Sequence, residues 1–369
     1  MHRLNLSISN SDDKSIIKKI VPTILWIILF LFVLDAGLQL LFNLNIAQMK
    51  GISLFFNYGF STEAKIRQLF DEKPIPPKSI LYAGWLNNET WKDQPANADV
   101  AIYGMSFSNN IAHRLGQICD TLEIRQISGP SAPPSHSYAA YLLDKDQHNA
   151  KFVVLAVLAG NVKYLLGMTN DTIGWDFTLP CTYPRYQIID GQLSTVNPYL
   201  NSFTELERAM KIPEIWNKHL TQLSEHDGYY NPLLYPQNIL DGSVIGRLIR
   251  RGLATRQNLI ATSDIHNHRG FNEEHEVIAI LKKIIINFND DARAHNRIPI
   301  VLLINNQGFD NHLYQVTQKT LSEHHIPFLS THNICPATEP RNFIKDGHFT
   351  AACDIKIAGK LLALMNSLR

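Results

Sequence analysis

Ser106 stands in the stretch Gly104-Met105-Ser106-Phe107-Ser108. It follows the apolar run Val100-Ala101-Ile102-Tyr103 and precedes a stretch that reads as helix, Asn109–Cys119. A serine where a strand ends and a helix begins carries its hydroxyl at the carboxyl edge of a sheet. The unpaired amides of the helix's first turn face whatever it attacks there. Gly104 allows the bend that a side chain would obstruct. That is a seat for a nucleophile, although most Gly-x-Ser triplets are only turns. Three later residues fall at comparable places. Gly129 follows the run Leu122–Ile127, and Asn161 follows Phe152–Leu158 in the tail Ala159-Gly160-Asn161. His348 lies in Lys345-Asp346-Gly347-His348-Phe349, just before the last amphipathic stretch. Taken singly, His348 is a loop histidine among 15 and Asn161 a helix cap.

Taken together and in this order, serine, glycine, asparagine and histidine resemble the SGNH (GDSL-type) hydrolase superfamily, from about Asp99 to the end of the chain minus a large insertion in the middle. The resemblance implies a role for each. Ser106 is the nucleophile, His348 the base and Asp346 the residue that holds the base. The Ser106 and Gly129 amides and the Asn161 side chain form the oxyanion hole. Met105 stands where the family has Asp. Asp346-Gly347-His348 is one residue shorter than the family's Asp-x-x-His, a spacing similar to that of polysaccharide O-acetyltransferase relatives. The residue three before His348 is Lys345, which cannot orient an imidazole. A neutral imidazole takes the proton of an otherwise poor serine nucleophile as attack proceeds, then protonates the leaving alcohol. Two amides and an asparagine side chain suit the charge that develops on the carbonyl oxygen. No cofactor is implied.

The elements that must position these residues alternate. From Asp99 the three strands are separated by helices Asn109–Cys119 and Ser137–Gln147. A strong helix at Glu273–Asp290 follows, with Val277, Leu281, Ile284, Ile285 and Phe288 at helical spacing. Ile298–Ile304 reads as a buried strand, His312–His325 as a helix, Ile326–Leu329 as a short strand and Thr350–Leu368 as the closing helix. This predicts an α/β fold, a parallel sheet covered by helices on both faces, with ligands at the carboxyl ends of the strands. The resemblance implies the SGNH-like three-layer α/β/α arrangement. Leu165–Gly270 interrupts the pattern. Within it Arg185–Val196 carries Asp190-Gly191 between alternating runs, a hairpin signal. Prolines and aromatics surround it, as a lid or substrate wall would require, or as decoration unrelated to substrate.

Before the sheet comes Ile20–Leu34, apolar apart from Pro22 and Thr23, continuing through Asp35-Ala36-Gly37 into Leu38–Phe42. Together these supply the roughly 20 residues of a spanning helix. Asp35 falls past the middle of the run. Lys14, Lys18 and Lys19 flank its start, and no basic residue follows until Lys50, which puts the N-terminus in the cytoplasm and the rest outside. A cleaved signal peptide is the rival, but no small-x-small site is clear. The expected organisation is a tail (1–19), an anchor (20–44), a linker or pre-domain segment (45–97) and an SGNH hydrolase-like domain (98–369) with its insertion at about 165–270. In the linker, Glu63–Phe70 reads as a helix and Pro74–Pro77 as a stiff extended piece. Tyr58–Ser61 and Ala83–Leu86 either pack on the domain or are plain linker.

The 369 residues carry 34 Lys and Arg against 33 Asp and Glu, a balance that argues against nucleic acid as a partner. Cys119, Cys181, Cys335 and Cys353 show no C-x-x-C spacing, and three complete pairings or free thiols are open to them. A bridge between Cys335 and Cys353 would close a loop around Asp346 and His348. Asp264, His266 and His268 would share one face if extended, but no fourth ligand is indicated and no metal is expected. Arg247, Arg250, Arg251 and Arg256 read as a solvated helix face, or as a contact for an anionic glycan or headgroup. The expected function is that of a membrane-anchored serine O-acyl esterase or O-acyltransferase on a cell-envelope glycan, with an acyl-donating membrane partner in the second case. The alternative is a degenerate member serving as a binding or scaffold subunit.

Overall fold

The central strands are apolar on both faces because helices cover both. The computed structural model describes residues 10–43, 50–70, 82–174 and 178–369. The Pro74–Pro77 piece lies outside them. By its internal contacts the chain divides into two units, Met1–Ser61 with Gln237–Leu253, and Thr62–Pro236 with Ala254–Arg369.

The larger unit holds the sheet. Its strands are β1 (Val100–Gly104), β2 (Ile124–Ser128), β3 (Phe152–Leu158), the hairpin pair β4 (Arg185–Ile189) and β5 (Gln192–Val196), the short pair β6 (His266–Asn267) and β7 (Gly270–Phe271), then β8 (Ile298–Ile304) and β9 (Phe328–Ser330). Five of them form one sheet in the order β2-β1-β3-β8-β9, with every pairing parallel. The chain's helices are α1 (Asn10–Asn43), α2 (Lys50–Asn57), α3 (Thr62–Gln68), α4 (Ser106–Ile118), α5 (Pro134–Asp144), α6 (Phe203–Lys211), α7 (Pro213–His226), α8 (Val244–Ile265), α9 (Glu276–Ala294), α10 (His312–Glu323) and α11 (Ala351–Ser367).

Alternation along each strand sorts its side chains between two cores. Ala101, Tyr103, Val153, Leu155, Val301 and Leu303 pack with α5, α9 and α10. Val100, Ile102, Val154, Ala156, Ile300 and Leu302 pack with α4 and α11. The register aligns Gly104 with Ser128 and Leu158 with Ile304, so the loops after β1, β2 and β3 leave one edge together.

The edge strand β2 is shielded rather than bare. Arg125 and Asp144 form a buried ion pair, and Arg125 also donates to the carbonyls of Trp91 and Gln94. The Gln94 side chain accepts from the amide of Gln126. The segment before β1 is thereby tied down, not a free linker. Trp85 is buried with Ile66, Leu69, Phe203, Leu206 and Trp216 in a third apolar cluster. The insertion and the pre-domain segment therefore share a core of their own. The hairpin forms at Asp190-Gly191, both with positive φ (50° and 75°), as a two-residue turn between right-twisted strands requires.

In the smaller unit, α1 contains the window Ile20–Phe42, 23 residues with mean hydropathy 2.4 and none of it buried, long and apolar enough to cross a membrane. The expected solvated arginine face is overturned at two of its positions. Arg247 and Arg250 are buried. Arg250 donates to Asp241, Asn238 and the carbonyl of Gly59, while Arg247 stacks on Phe60 and donates to Asn57. Guanidinium groups have five donors, and carboxylate, amide and carbonyl acceptors take up several of them here. Tyr58–Ser61 thus packs within this unit.

Candidate active site

β1 ends at Gly104 and α4 begins at Ser106, so Met105 alone makes the link, in an extended conformation. Its side chain is buried in the core shared with α4 and α11, which accounts for an apolar residue there. Ser108 closes the link. Its hydroxyl accepts from the Met105 amide at 2.9 Å and donates to the Met105 carbonyl at 2.7 Å. Position 104 must then be glycine, because a Cβ there would lie 2.3 Å from Ser108 Oγ and 2.8 Å from the Ala156 Cβ. Ser106 is the first helical residue, so its amide has no acceptor within the helix.

His348 arrives from a closed loop before α11. The Ile344 amide donates to the His348 carbonyl at 2.8 Å, and the Thr350 amide to the Asn342 carbonyl at 2.8 Å. Gly347 makes the turn at φ 89°. Cys335 and Cys353 are joined by a disulfide, Cα–Cα 5.9 Å, which ties the loop's two flanks together. The Phe107 ring stacks on the imidazole, centroids 4.6 Å apart.

These supports bring Ser106 Oγ to 2.7 Å from His348 Nε2, across 242 positions of sequence. On the other side of the ring, His348 Nδ1 lies 3.1 Å from Asp346 Oδ1. The same oxygen accepts from the His348 amide. That amide, followed by the His348 side chain, holds the exposed Asp346 carboxyl below its usual range. With Nδ1–H directed at a carboxylate, Nε2 is the nitrogen left to accept the serine proton.

Asn161 and Gly129 lie at the same sheet edge with different freedom. Asn161 is buried and its side-chain amide donates to the Ala132 carbonyl at 3.1 Å, which orients it and leaves its second N–H. The Gly129 amide donates to the Gly104 carbonyl at 3.2 Å, continuing the β1–β2 ladder. Its one hydrogen is spent there, so in this conformation the donors not committed to the ladder are the Ser106 amide and Asn161. Asn170, from the insertion, donates to the Ser131 carbonyl at 3.2 Å and so steadies the loop that carries Gly129. Beneath that loop His136 is fully buried, and burial pushes its pKa down to about 4.

Three residues near the site carry no local signal in the sequence. Ser108 and Phe107 read as ordinary first-turn residues until their partners are known. Asp354, one turn into α11, is buried, and desolvation pushes its pKa up to about 6, against the lowering influence of Arg114 and His348. The Asp264–His268 stretch ends α8 and enters β6. His266 Nε2 lies 2.9 Å from His312 Nδ1, and no cluster of three or more His, Cys, Asp and Glu among the described residues could hold a metal.

A cleft of about 1120 Å³ runs elsewhere in this unit, lined by Asn88, Trp91, Leu142, Pro184, Asn197 and Glu205 among others. Tyr186 and Thr195 of the hairpin line it, and neither Ser106 nor His348 does. The 2.7 Å contact of Ser106 with His348 lies outside the lining of this cleft. No protein-family model and no curated protein matches this chain.

Proposed function

We propose that this chain is a membrane-anchored serine O-acyl esterase or O-acyltransferase of the SGNH type, acting on a cell-envelope glycan through an acyl-Ser106 intermediate. One observation carries the reading. Ser106 Oγ lies 2.7 Å from His348 Nε2, while Asp346 faces the other ring nitrogen. In the reaction His348 takes the Ser106 proton as Oγ attacks the ester carbonyl, then gives it to the departing alcohol. Asp346 stabilises the imidazolium. The Ser106 amide and Asn161 side chain hold the oxyanion. Water or a sugar hydroxyl, deprotonated by His348, then takes the acyl group. The apolar α1 supports an anchor, and Lys14, Lys18 and Lys19 before it favour a cytoplasmic N-terminus with the catalytic unit outside.

The engaged Gly129 amide favours a second reading, a binding or scaffold subunit that has lost an oxyanion donor. A fluorophosphonate probe decides between them. Labelling of the wild type that disappears in Ser106→Ala supports the enzyme. Folded protein that never labels supports the scaffold. An activated acetyl ester with and without a glycan panel then separates hydrolysis from transfer.

A further inference from the structure

The first half of α8 is built inside out. Its buried side carries Arg247 and Arg250, and its outward side carries Leu248 (43 % exposed), Ile249 (55 %) and Leu253 (40 %). A helix at a water boundary has the opposite pattern. Just before it stands Ile239, 91 % exposed. Charged groups turned inward onto acceptors, with aliphatic groups turned outward, is the arrangement that lipid selects.

The seating of this helix says where the lipid is. Asp35, inside the apolar run of α1, is saturated by the helix start. Its Oδ1 accepts from the Ser243 hydroxyl at 2.9 Å and the Ile245 amide at 2.8 Å, and its Oδ2 from Gln39 at 2.8 Å. Gln39 also donates to the Gly242 carbonyl. An acid in hydrocarbon and an open helix N-terminus are each costly, and here each satisfies the other. Depth follows from α1. With Ile20 at the near boundary, after Lys18 and Lys19, Asp35 stands about 22 Å along the helix at about 1.5 Å per residue. A hydrocarbon core about 30 Å thick leaves it about 8 Å below the far boundary. Helices lying in the interface are buried about 5–10 Å.

We propose that Ile239–Leu253 is a second membrane element, a shallow foot whose Ile239, Leu248, Ile249 and Leu253 enter the acyl region of the leaflet at the C-terminal end of α1. The occupant of this face is bilayer lipid. The inference rests on α1 being a membrane span, and the test reads the two separately. The full chain, with Cys119→Ser, is reconstituted into phosphatidylcholine/phosphatidylglycerol vesicles carrying an environment-sensitive fluorophore at one introduced cysteine. The substitutions are Ile239→Cys, Ile249→Cys, Trp26→Cys for the span and Lys319→Cys as an exposed control. Nitroxide lipids labelled near the headgroup or at mid-chain act as quenchers.

The expected result is blue-shifted emission at 239 and 249 with stronger quenching by the shallow nitroxide, mid-chain quenching at 26, and none at 319. Water-like emission at 239 and 249 with quenching at 26 overturns the foot and leaves the span. Water-like emission at all four overturns both. Shielding at 239 and 249 in native membranes but not in protein-free vesicles assigns the face to a partner protein and overturns the lipid assignment. Ile239 makes so little contact that its label reports even where Ile249→Cys fails to fold.

Discussion

At the residue scale, the site depends on which hydrogens are already spent. Asn161 retains a donor after binding the Ala132 carbonyl, whereas the Gly129 amide has none left. Under the acyl-transfer reading, Asn161→Ala lowers kcat on an activated acetyl ester by about 10²–10³-fold, as loss of one oxyanion donor does, with little change in KM. Measured steady-state constants check this, and a loss under about threefold removes Asn161 from the hole. Asp346 is on the surface, yet it is the carboxylate facing Nδ1. Asp346→Ala lowers kcat by up to about 10⁴-fold if it orients the base as the third member of a triad does. Near-full activity in that variant while Ser106→Ala and His348→Ala are dead would shift the role to the buried Asp354.

At the scale of elements, the serine's position depends on the one-residue link between β1 and α4. Gly104→Ala pushes a methyl into Ser108 Oγ and Ala156, so the link must open. It is expected to destabilise by about 1–3 kcal/mol, the usual cost of overpacking, and to reduce activity beyond what stability explains. Denaturant unfolding beside the ester assay measures both. On the neighbouring edge strand β2, Arg125 is joined to Asp144 by two hydrogen bonds, both side chains almost wholly buried. Arg125→Met strands the Asp144 carboxylate beside Tyr103 and His148, with an expected cost of about 3–5 kcal/mol. Arg125→Met combined with Asp144→Leu recovers most of it. A double variant as unstable as the single would show that the carbonyl contacts to Trp91 and Gln94, not the ion pair, hold this edge.

For the whole molecule, buried acids contribute a pH dependence to stability. Burial pushes Asp171 up to about 7 and Asp227 up to about 6. Both folded-state values lie above the unfolded one, so folding favours the protonated forms. Their stabilising contribution is full below about pH 4 and is lost as pH rises through 6 to 7. Asp171 is the cleaner probe. Its Oδ1 accepts from the Leu179 amide, and its Oδ2 has no hydrogen-bond partner among the described residues. Asp171→Asn keeps the first contact without the charge. Its Tm is expected to exceed the wild type's above pH 7 and to converge with it toward pH 4. A constant difference across that range would mean that Asp171 does not titrate there.

The central strands, the order of the helices that cover the sheet and the hairpin are legible in the residues alone, whereas α6 and α7 of the insertion are not. Phe152–Leu158 and Ile298–Ile304 were legible to the residue, because strands buried on both faces are unbroken apolar runs. The edge strands lay one or two residues later than expected, at Ile124–Ser128 and Phe328–Ser330, because pairing with β1 and β8 sets their bounds and their composition does not. The resemblance, carried by residue types and their order, also pointed to Ser106, His348 and Asp346. What each group touches depends on how distant segments pack. The tertiary structure spent the Gly129 amide on Gly104, buried Arg247 and Arg250, gave Asp35 its partners at Ser243 and Ile245, and gathered Trp85 with the insertion into one core. Those outcomes join residues that are distant in the chain, and no local pattern encodes a partner at that separation.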